Sequence, residues 1–276
     1  MEKEVPYDVM VQPYVSMYTS KYHSMVQRKY GISHFYEFTI EHESEKQIQA
    51  VPDGSVDLLF DIGQNNVRTY IGGTVLQAKN WPLTEGKTYF GVRFQPGKCI
   101  LPKELVIQQI IDKDLEIDGN NFGDHLTEEL QEQDSLRNRA HIFLKKYLVN
   151  QEEGFQQNDP TMLLENYIQR RIYESHGNIS IKQLADETSY TECYIRRVFK
   201  KVHGISPKVF ERFVRFQNLL KQMDVMGKSS EMEEMALSCG YYDQSHMIKD
   251  FKSFAGMTPE IYLQLLNNKK KNTGGL

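Results

Sequence analysis

The chain has 276 residues, of which 39% are hydrophobic and 25% are charged. This composition is typical of a folded globular protein and excludes the disordered, collagen-like and transmembrane classes. At roughly 100–200 residues per domain, the length predicts two domains. The charged N-terminus lacks the apolar stretch of a signal peptide, and the three cysteines lie far apart. We therefore expect a cytoplasmic protein without a disulfide framework.

The net charge of −4 conceals two halves of opposite sign. Residues 1–158 carry 16 basic and 23 acidic side chains, whereas residues 159–276 carry 17 and 14. The stretch 192–228 alone has nine basic and three acidic residues. An acidic half joined to a half with a basic band indicates a nucleic-acid partner for the second half only.

Four segments of the first hundred residues have the β-branched and aromatic composition of strands. Gly, Pro and Asn turns separate them. They are Phe35–Ile40, Val56–Ile62, Thr69–Val75 and Lys87–Phe94. Several short strands at this spacing predict a sandwich or a barrel.

A helical period replaces the strand pattern from about Pro102 onward. The apolar positions that recur helically are Leu105, Ile107, Ile110 and Ile111, then Phe122, Leu126 and Leu130, then Leu136, Ala140, Phe143, Leu144 and Tyr147. Two amphipathic helices in this region either pack on the β-rich domain or form a subunit interface. The polar segment Gln151–Pro160 is typical of a linker. We therefore predict domains at residues 1–155 and 156–276.

The second domain contains an internal repeat. A Phe, a Gly and a Pro recur at a spacing of 52 residues, as Phe199 and Phe251, Gly204 and Gly256, and Pro207 and Pro259. A small residue, Ala185, recurs 51 residues later as Ala236. The one-residue difference falls at or just after a turn between helices, where an insertion is tolerated.

Each copy carries the physical parts of a helix-turn-helix unit. Gly240 fills the tight turn in the second copy, and Ser189 takes its place in the first at a greater conformational cost. Thr191 and Asp243 are candidate N-caps of the helices that follow. Glycines then end those helices and prolines begin the next ones, as helix termini require. The matched turns, caps and stops argue against two unrelated helical hairpins.

The segment from about Leu163 to Leu265 resembles the DNA-binding domain of AraC/XylS-type transcriptional regulators. The second copy, Glu234 to Pro259, carries the closest match to that family's signature. The resemblance implies two helix-turn-helix units joined by a rigid helix, here Pro207 to about Met223. It also implies that both recognition helices, over about 191–202 and 243–254, enter successive segments of the DNA major groove.

Twelve residues are candidates for DNA contacts. Cys193, Arg196 and Arg197 match the family's base-contacting positions, and Arg suits the acceptor edge of guanine. Lys200 and Lys201 are better suited to phosphates. The remaining candidates are the cap Thr191, the second-helix residues Gln244, Ser245, His246 and Lys249, and the linker-helix residues Arg212 and Arg215. The two linker arginines are either surface charges or contacts to the DNA backbone.

The first domain resembles, on short motifs only, the β-rich domain that precedes this DNA-binding domain in one branch of the family. The motifs are Val51–Phe60, Tyr70–Gly73 and Gly91–Gly97. The resemblance implies a cupin-like barrel that senses a ligand or dimerises. Arg93 is the candidate ligand-binding residue, since an interior Arg can hold an anion, although it can equally pair with a carboxylate such as Asp57.

No catalytic or metal site is expected in the first domain. His23, His34 and His42 are spread out, whereas a cupin metal site needs clustered histidines and a carboxylate. Cys99 has one adjacent Lys and no Cys or His partner nearby, which predicts a packing residue rather than an activated thiolate.

The sequence thus predicts an α+β two-domain protein. A cupin-like β-barrel domain with following helices precedes an all-α domain with two helix-turn-helix units. We expect a sequence-specific transcriptional regulator without a cofactor or enzymatic activity. Its expected partners are promoter DNA, a small-molecule effector, RNA polymerase and a second copy of the chain, with no membrane. The alternative is an enzyme or alkyl-acceptor repair protein with an appended DNA-binding domain.

Overall fold

The computed structural model describes residues 12–13, 19, 21–41, 48–63, 66–81, 83–151, 159–226 and 232–273. His42 and most of the predicted linker lie outside these ranges. None of the helices within them has the length and apolar character that crossing a bilayer requires. The described residues form a β-rich domain followed by an all-helical domain, which confirms the predicted fold class.

Within the described ranges, eight strands build the first domain, which we call the β-domain. They are β1 (His23–Val26), β2 (Ile32–Thr39), β3 (Gln49–Ala50), β4 (Val56–Ile62), β5 (Val67–Gly72), β6 (Lys79–Asn80), β7 (Thr88–Phe94) and β8 (Asp114–Ile117). Six of them form an antiparallel sheet in the order β1-β2-β7-β4-β5-β8. The strands β3 and β6 form a separate two-stranded sheet. Among the described residues no ladder joins β1 to β8, so the large sheet stays open.

The two faces of the large sheet are buried in different cores, because successive side chains of a strand point to opposite faces. Phe35, Phe60 and Phe90 face the helices that follow the sheet. Tyr36 and Tyr89 belong to the core on the other side, which includes side chains from the two-stranded sheet and its flanks. The β-domain therefore has three layers.

The helices that follow β7 in this domain are α1 (Ile107–Ile110), α2 (Leu126–Gln131) and α3 (Leu136–Gln151), with a 3₁₀ turn at Gly119–Phe122. Ala140, Phe143 and Tyr147 of α3 are buried in the β-domain core, so intradomain packing accounts for the stripe on this helix. The helical pattern from Leu105 to Ile111 yields only one turn. The chain then turns back and adds β8 beside β5 as the edge strand of the large sheet, an interaction that local periodicity does not encode.

The second domain consists of seven helices among the described residues. They are α4 (Pro160–Glu174), α5 (Ile181–Thr188), α6 (Glu192–His203), α7 (Pro207–Met226), α8 (Met232–Ser238), α9 (Gln244–Ala255) and α10 (Pro259–Thr273). Side chains of α7, including Phe213, Phe216 and Leu220, are buried in the same core as residues from both repeats. The long helix α7 thus joins the two units into one body. The predicted boundary at residue 155 falls outside the described ranges.

Candidate nucleic-acid interface

The first helix-turn-helix unit is built by α5, a tight turn and α6. Ser180 caps α5, and Gln183 completes a capping box. Ser189 adopts the left-handed conformation at φ +61°, the position that Gly240 fills in the second unit at φ +81°. The Thr191 hydroxyl then accepts a hydrogen bond from the Tyr194 amide at 3.3 Å and begins α6. These contacts fix the angle between the two helices.

The second unit repeats this construction with α8 and α9. The Asp243 carboxylate accepts a hydrogen bond from the His246 amide at 2.7 Å and begins α9. The helices α6 and α9 end alike, at Gly204 and Gly256, both in the left-handed conformation. The recognition helices therefore start and stop where the repeat predicts, to within one residue.

The outer face of α6 carries the residues predicted to contact DNA. Ile195, Val198 and Phe199 face the core. Five side chains remain exposed, namely Cys193, Arg196, Arg197, Lys200 and Lys201. Four of the five are basic, so this face is suited to a polyanion.

Both arginines of this set make weak contacts with neighbours on their own helix. Arg196 pairs with Glu192 at 2.6 Å, one helical turn away. The Arg197 guanidinium lies 5.0 Å from the centroid of the Tyr194 ring. Exposed pairs of this kind contribute only a few tenths of a kcal/mol to about 1 kcal/mol. Both side chains can therefore leave their neighbours for a stronger acceptor at little cost.

The outer face of α9 is less basic. Ser245, His246 and Lys249 are exposed and Gln244 is half-buried. Ile248 packs against the domain core, so it belongs to the inner side of the helix. Amide and hydroxyl groups dominate this face, which suits base edges more than phosphates.

The linker-helix arginines hold the second domain together. Arg212 donates to both carboxylate oxygens of Asp250 on α9, at 2.8 and 3.3 Å, and stacks over Phe254. Arg215 donates to the carbonyl oxygen of Gly177 and lies over the Tyr241 ring. Both guanidinium groups therefore bridge elements within the domain, a third role beside the two that the sequence left open.

The β-domain contacts the C-terminal ends of both recognition helices. Gln108 of the β-domain donates to the carbonyl oxygen of Lys200 at 3.0 Å, in the last turn of α6. Gly204 at the end of α6 packs beneath Ile111, and Gly256 at the end of α9 faces Ala78. Helix C-termini leave four carbonyls without helical partners, so these ends are natural docking points.

A buried ion cluster joins the domains next to α6. The Glu165 carboxylate lies 2.7 Å from His203 Nε2 and 3.3 Å from Lys98 Nζ, and neither Glu165 nor His203 is exposed. Burial raises the pKa of Glu165, but the hydrogen bond and charge of His203 and the charge of Lys98 outweigh it and leave that pKa below its ordinary value.

This cluster is not predictable from local sequence patterns, because its members Lys98, Glu165 and His203 are far apart in the chain. One signal was available. His203 lies four residues after Phe199 and eight after Ile195, on the buried stripe of α6. A histidine on a buried stripe needs a polar partner. In the sequence, however, His203 lies close to Lys200 and Lys201, so this stretch has the composition of a solvated charged face.

A loop of the β-domain reaches into the core of the second domain. Val51 is fully buried there, and Gln217 of α7 donates to the carbonyl oxygen of Pro52 at 2.9 Å. Gly54, at φ +87°, lies against the ring of Phe210. Gln169 of α4 makes another cross-domain hydrogen bond, to the carbonyl oxygen of Pro96 at 2.8 Å. The two domains are thus packed as one unit.

The same loop forms a wall of a cleft that Arg93 lines. Arg93 Nη2 lies 2.7 Å from Asp57 and 3.3 Å from Asp53, so the guanidinium is already paired with internal carboxylates. Burial raises the pKa of Asp57 to about 6, against the opposing effect of Arg93. Burial, and then the charge of Arg93, lower the pKa of His34 to about 3, which keeps the imidazole neutral.

The Cys99 thiol packs against the β-domain core, and burial raises its pKa well above the ordinary value. This environment is the opposite of the one that activates a thiolate. Within the described ranges, no three His, Cys, Asp or Glu side chains are grouped as a metal site would require.

Two family models match the chain. Residues 184–264 match a helix-turn-helix domain, and residues 29–116 match a domain of unknown function (DUF6597). The first match spans most of both helix-turn-helix units and the linker helix between them. The second spans much of the β-domain, including the cleft residues Asp57 and Arg93.

Two curated relatives are similar over part of the chain. The probable transcriptional regulator LumQ of Photobacterium leiognathi is 24% identical over 128 residues, 46% of this chain and 50% of the relative. The HTH-type transcriptional activator AarP of Providencia stuartii is 24% identical over 86 residues, 31% of this chain and 62% of the relative. The chain thus spans between half and two thirds of the length of these relatives.

Among solved structures, ToxT from Vibrio cholerae is 10% identical at a TM-score of 0.41, over 89% of this chain and 99% of that one. The C-terminal domain of AraT from Geobacillus stearothermophilus is 20% identical at a TM-score of 0.33, over 38% of this chain and 85% of that one. Residues 184–264 thus match a helix-turn-helix domain, and the two relatives that are similar over part of the chain are named a transcriptional regulator and a transcriptional activator.

Proposed function

We propose that the protein is a sequence-specific DNA-binding transcriptional regulator whose β-domain controls its DNA-binding domain. The observation that carries the proposal is the pair of recognition helices. They are capped and terminated alike, packed on one linker helix, and have exposed polar faces free of the core. The matches to a transcriptional regulator and a transcriptional activator support the same function.

We assign base reading mainly to α6. Arg196 and Arg197 have the donor geometry for guanine, and Cys193 lies beside them on the exposed face. On α9 the base-reading candidates are Gln244, Ser245 and His246. Phosphate contacts fall to the cap Thr191 and to Lys200, Lys201 and Lys249. Arg212 and Arg215 act indirectly, because their contacts inside the domain set the relative position of the two units.

The β-domain is placed to control this interface. It touches the ends of α6 and α9, and its Val51 loop packs against α7 between them. A change in the β-domain, through a small ligand, dimerisation or both, would shift the spacing of the two recognition helices. A homodimer would place two such pairs on repeated half-sites, and RNA polymerase is the partner through which a regulator acts.

The competing function is an alkyl-acceptor repair protein or another enzyme. Such a repair protein needs a reactive thiolate, whereas the pKa of the buried Cys99 thiol is raised. The Cys193 thiol is exposed, but it lies on the face of α6 that we assign to DNA. We therefore favour a role without catalysis.

A DNA selection tests the proposed function. Purified full-length protein is incubated with sheared genomic fragments, and the recovered fragments are sequenced. Binding to the recovered site should exceed binding to its scrambled version by at least about 10³ at physiological salt. Comparable affinity for the two sequences would contradict a sequence-specific regulator and favour a nonspecific DNA binder.

A further inference from the structure

The cleft of the β-domain lies between the large sheet and the two-stranded sheet. Its walls include Asp57 and Arg93 from the large sheet and Trp81 from the opposite side. Asp53 and Ser55, from the loop that packs on α7, also line it. The cavity is about 40 Å³, which suits a ligand headgroup of a few atoms.

Near Arg93, the carboxylates that line the cleft outnumber the cations paired with them. Of the other two carboxylates that line the cleft, Asp114 pairs with Lys79 at 2.6 Å, and Asp61 pairs with Arg68 at 2.8 Å and with Lys87 at 3.4 Å. These two carboxylates therefore have cations of their own. The remaining lining carboxylates, Asp53 and Asp57, lie next to Arg93 in what we call the inner part of the cleft.

In the inner part, Asp53 and Asp57 share the single guanidinium of Arg93. The remaining partners of these carboxylates are neutral donors: Gln12 and the Ser55 amide on Asp53, and the Tyr36 hydroxyl on Asp57. The nearby His34 is uncharged, as its pKa of about 3 requires. Within the part of the chain that the structure describes, one negative charge is thus left without a cation in a buried site, where an uncompensated charge is costly.

Arg93 supplies a second, independent indication of a ligand. The side chain is 4% exposed, and its Nε–H has no hydrogen-bond partner within the described part of the chain. A buried donor without an acceptor costs about 1–3 kcal/mol. Among the described residues, the inner cleft thus has one cation for two carboxylates and no acceptor for the Arg93 Nε–H.

The aromatic lining is suited to a cation. Trp81, Tyr89 and Tyr70 line the cleft together with the carboxylates. The electron-rich face of an aromatic ring attracts a cation, and Trp does so most strongly. An anionic ligand would instead meet Asp53 and Asp57, and a neutral one would leave their excess charge in place.

We propose that this cleft binds a small primary amine that also carries an uncharged oxygen, such as an amino alcohol. The ammonium group lies against Asp53 and Asp57, and the oxygen accepts the free Nε–H of Arg93. Trp81 provides the aromatic wall. The proposal rests on the proposed function, since the amine would be the effector that the β-domain senses.

Three probes of the same skeleton test the charge of the ligand directly. Isopropanolamine, propylene glycol and lactate share the CH₃–CH(OH)– group and differ in carrying a positive, neutral or negative terminal group. Each is titrated into the full-length protein without DNA, by calorimetry and by the fluorescence of Trp81, which is the only tryptophan in the sequence. Isopropanolamine should bind saturably with a change in that fluorescence, at least about tenfold more tightly than the other two. Equal or tighter binding of lactate or propylene glycol overturns the proposal, and so does the absence of saturable binding by all three.

Charge-neutralising variants locate the site. Asp57→Asn should weaken isopropanolamine binding by at least about tenfold, and Glu132→Gln, an exposed site outside the cleft, should leave it unchanged. If Asp57→Asn does not fold, Asp53→Asn serves instead, because Asn can still accept the Ser55 amide hydrogen bond. Unchanged affinity in a folded Asp variant overturns the proposal. Because no DNA is present, a failed titration is distinguishable from a failure of the DNA selection.

Discussion

The ends of the two recognition helices offer a matched pair of substitutions. Gly204 ends α6 at φ +73° and Gly256 ends α9 at φ +71°. An alanine at either position must adopt the same left-handed conformation, which costs about 1–2 kcal/mol for a residue with a Cβ. The backbone penalty is therefore common to Gly204→Ala and Gly256→Ala.

The surroundings of the two added methyl groups differ. At Gly204 the new Cβ would lie 2.7 Å from both Cγ1 and Cδ1 of Ile111 and 3.4 Å from Ile107. At Gly256 it would lie 3.5 Å from the Ala78 Cβ, an ordinary contact. Overpacking adds about 1–3 kcal/mol. We expect Gly204→Ala to lose about 2–5 kcal/mol of unfolding free energy and Gly256→Ala about 1–2 kcal/mol.

Urea unfolding of the full-length variants, followed by circular dichroism, measures both losses. Adding Ile111→Ala to Gly204→Ala should recover part of the difference, because the shorter side chain makes room for the methyl group. Equal losses in Gly204→Ala and Gly256→Ala, or no recovery in the double variant, would refute the packing of the β-domain on the end of α6.

Three further predictions concern DNA reading, the interdomain ion cluster and pH. Arg197→Ala should relax base preference at one position of the site at a cost of about 1–3 kcal/mol, whereas Lys201→Ala should weaken all sequences alike and reduce the salt slope by about one, both measured by binding titrations over a salt series; the reverse pattern would exchange their roles. Glu165→Gln should destabilise the full chain by about 3 kcal/mol in urea unfolding, because it leaves His203 without its buried carboxylate; a loss under 1 kcal/mol would contradict this role. In the folded chain His34 stays neutral down to about pH 3, whereas in the unfolded chain it binds a proton below about pH 6.5. As the pH is lowered below that value, the free energy of unfolding therefore decreases by about 1.4 kcal/mol per pH unit. Between about pH 6.5 and 5 the parent chain should therefore lose about 2 kcal/mol more than His34→Gln, and parallel stability profiles would disprove it.

Features governed by local rules were predictable from the sequence. The caps Thr191 and Asp243 and the stops Gly204 and Gly256 follow from the chemistry of helix ends, which involves only a few consecutive residues. The internal repeat strengthens the prediction of these helix ends, because the same cap and stop residues occur at matching positions in both copies. The longer strands were equally visible, because β-branched and aromatic residues cluster in them.

Features that depend on distant partners were not predictable in the same way. The strands β3 and β6 have two residues each, too few for an alternating pattern, and β8 forms by pairing with β5. The contact of Lys98 with Glu165 spans 67 residues of sequence. The sequence predicts Asp57 as a possible partner of Arg93. The second carboxylate, Asp53, lies on the Val51 loop, whose position depends on contacts with the distant helix α7.

The docking of the Val51 loop has a consequence for the time course of synthesis. The loop carbonyl of Pro52 bonds to Gln217, which lies 165 residues later in the chain. At a translation rate of about 5–20 residues per second, α7 leaves the ribosome roughly 10–30 s after the loop. During that interval Val51 has no second-domain core to pack against. The nascent β-domain therefore leaves Val51 exposed to solvent until α7 has been synthesised and has folded against it.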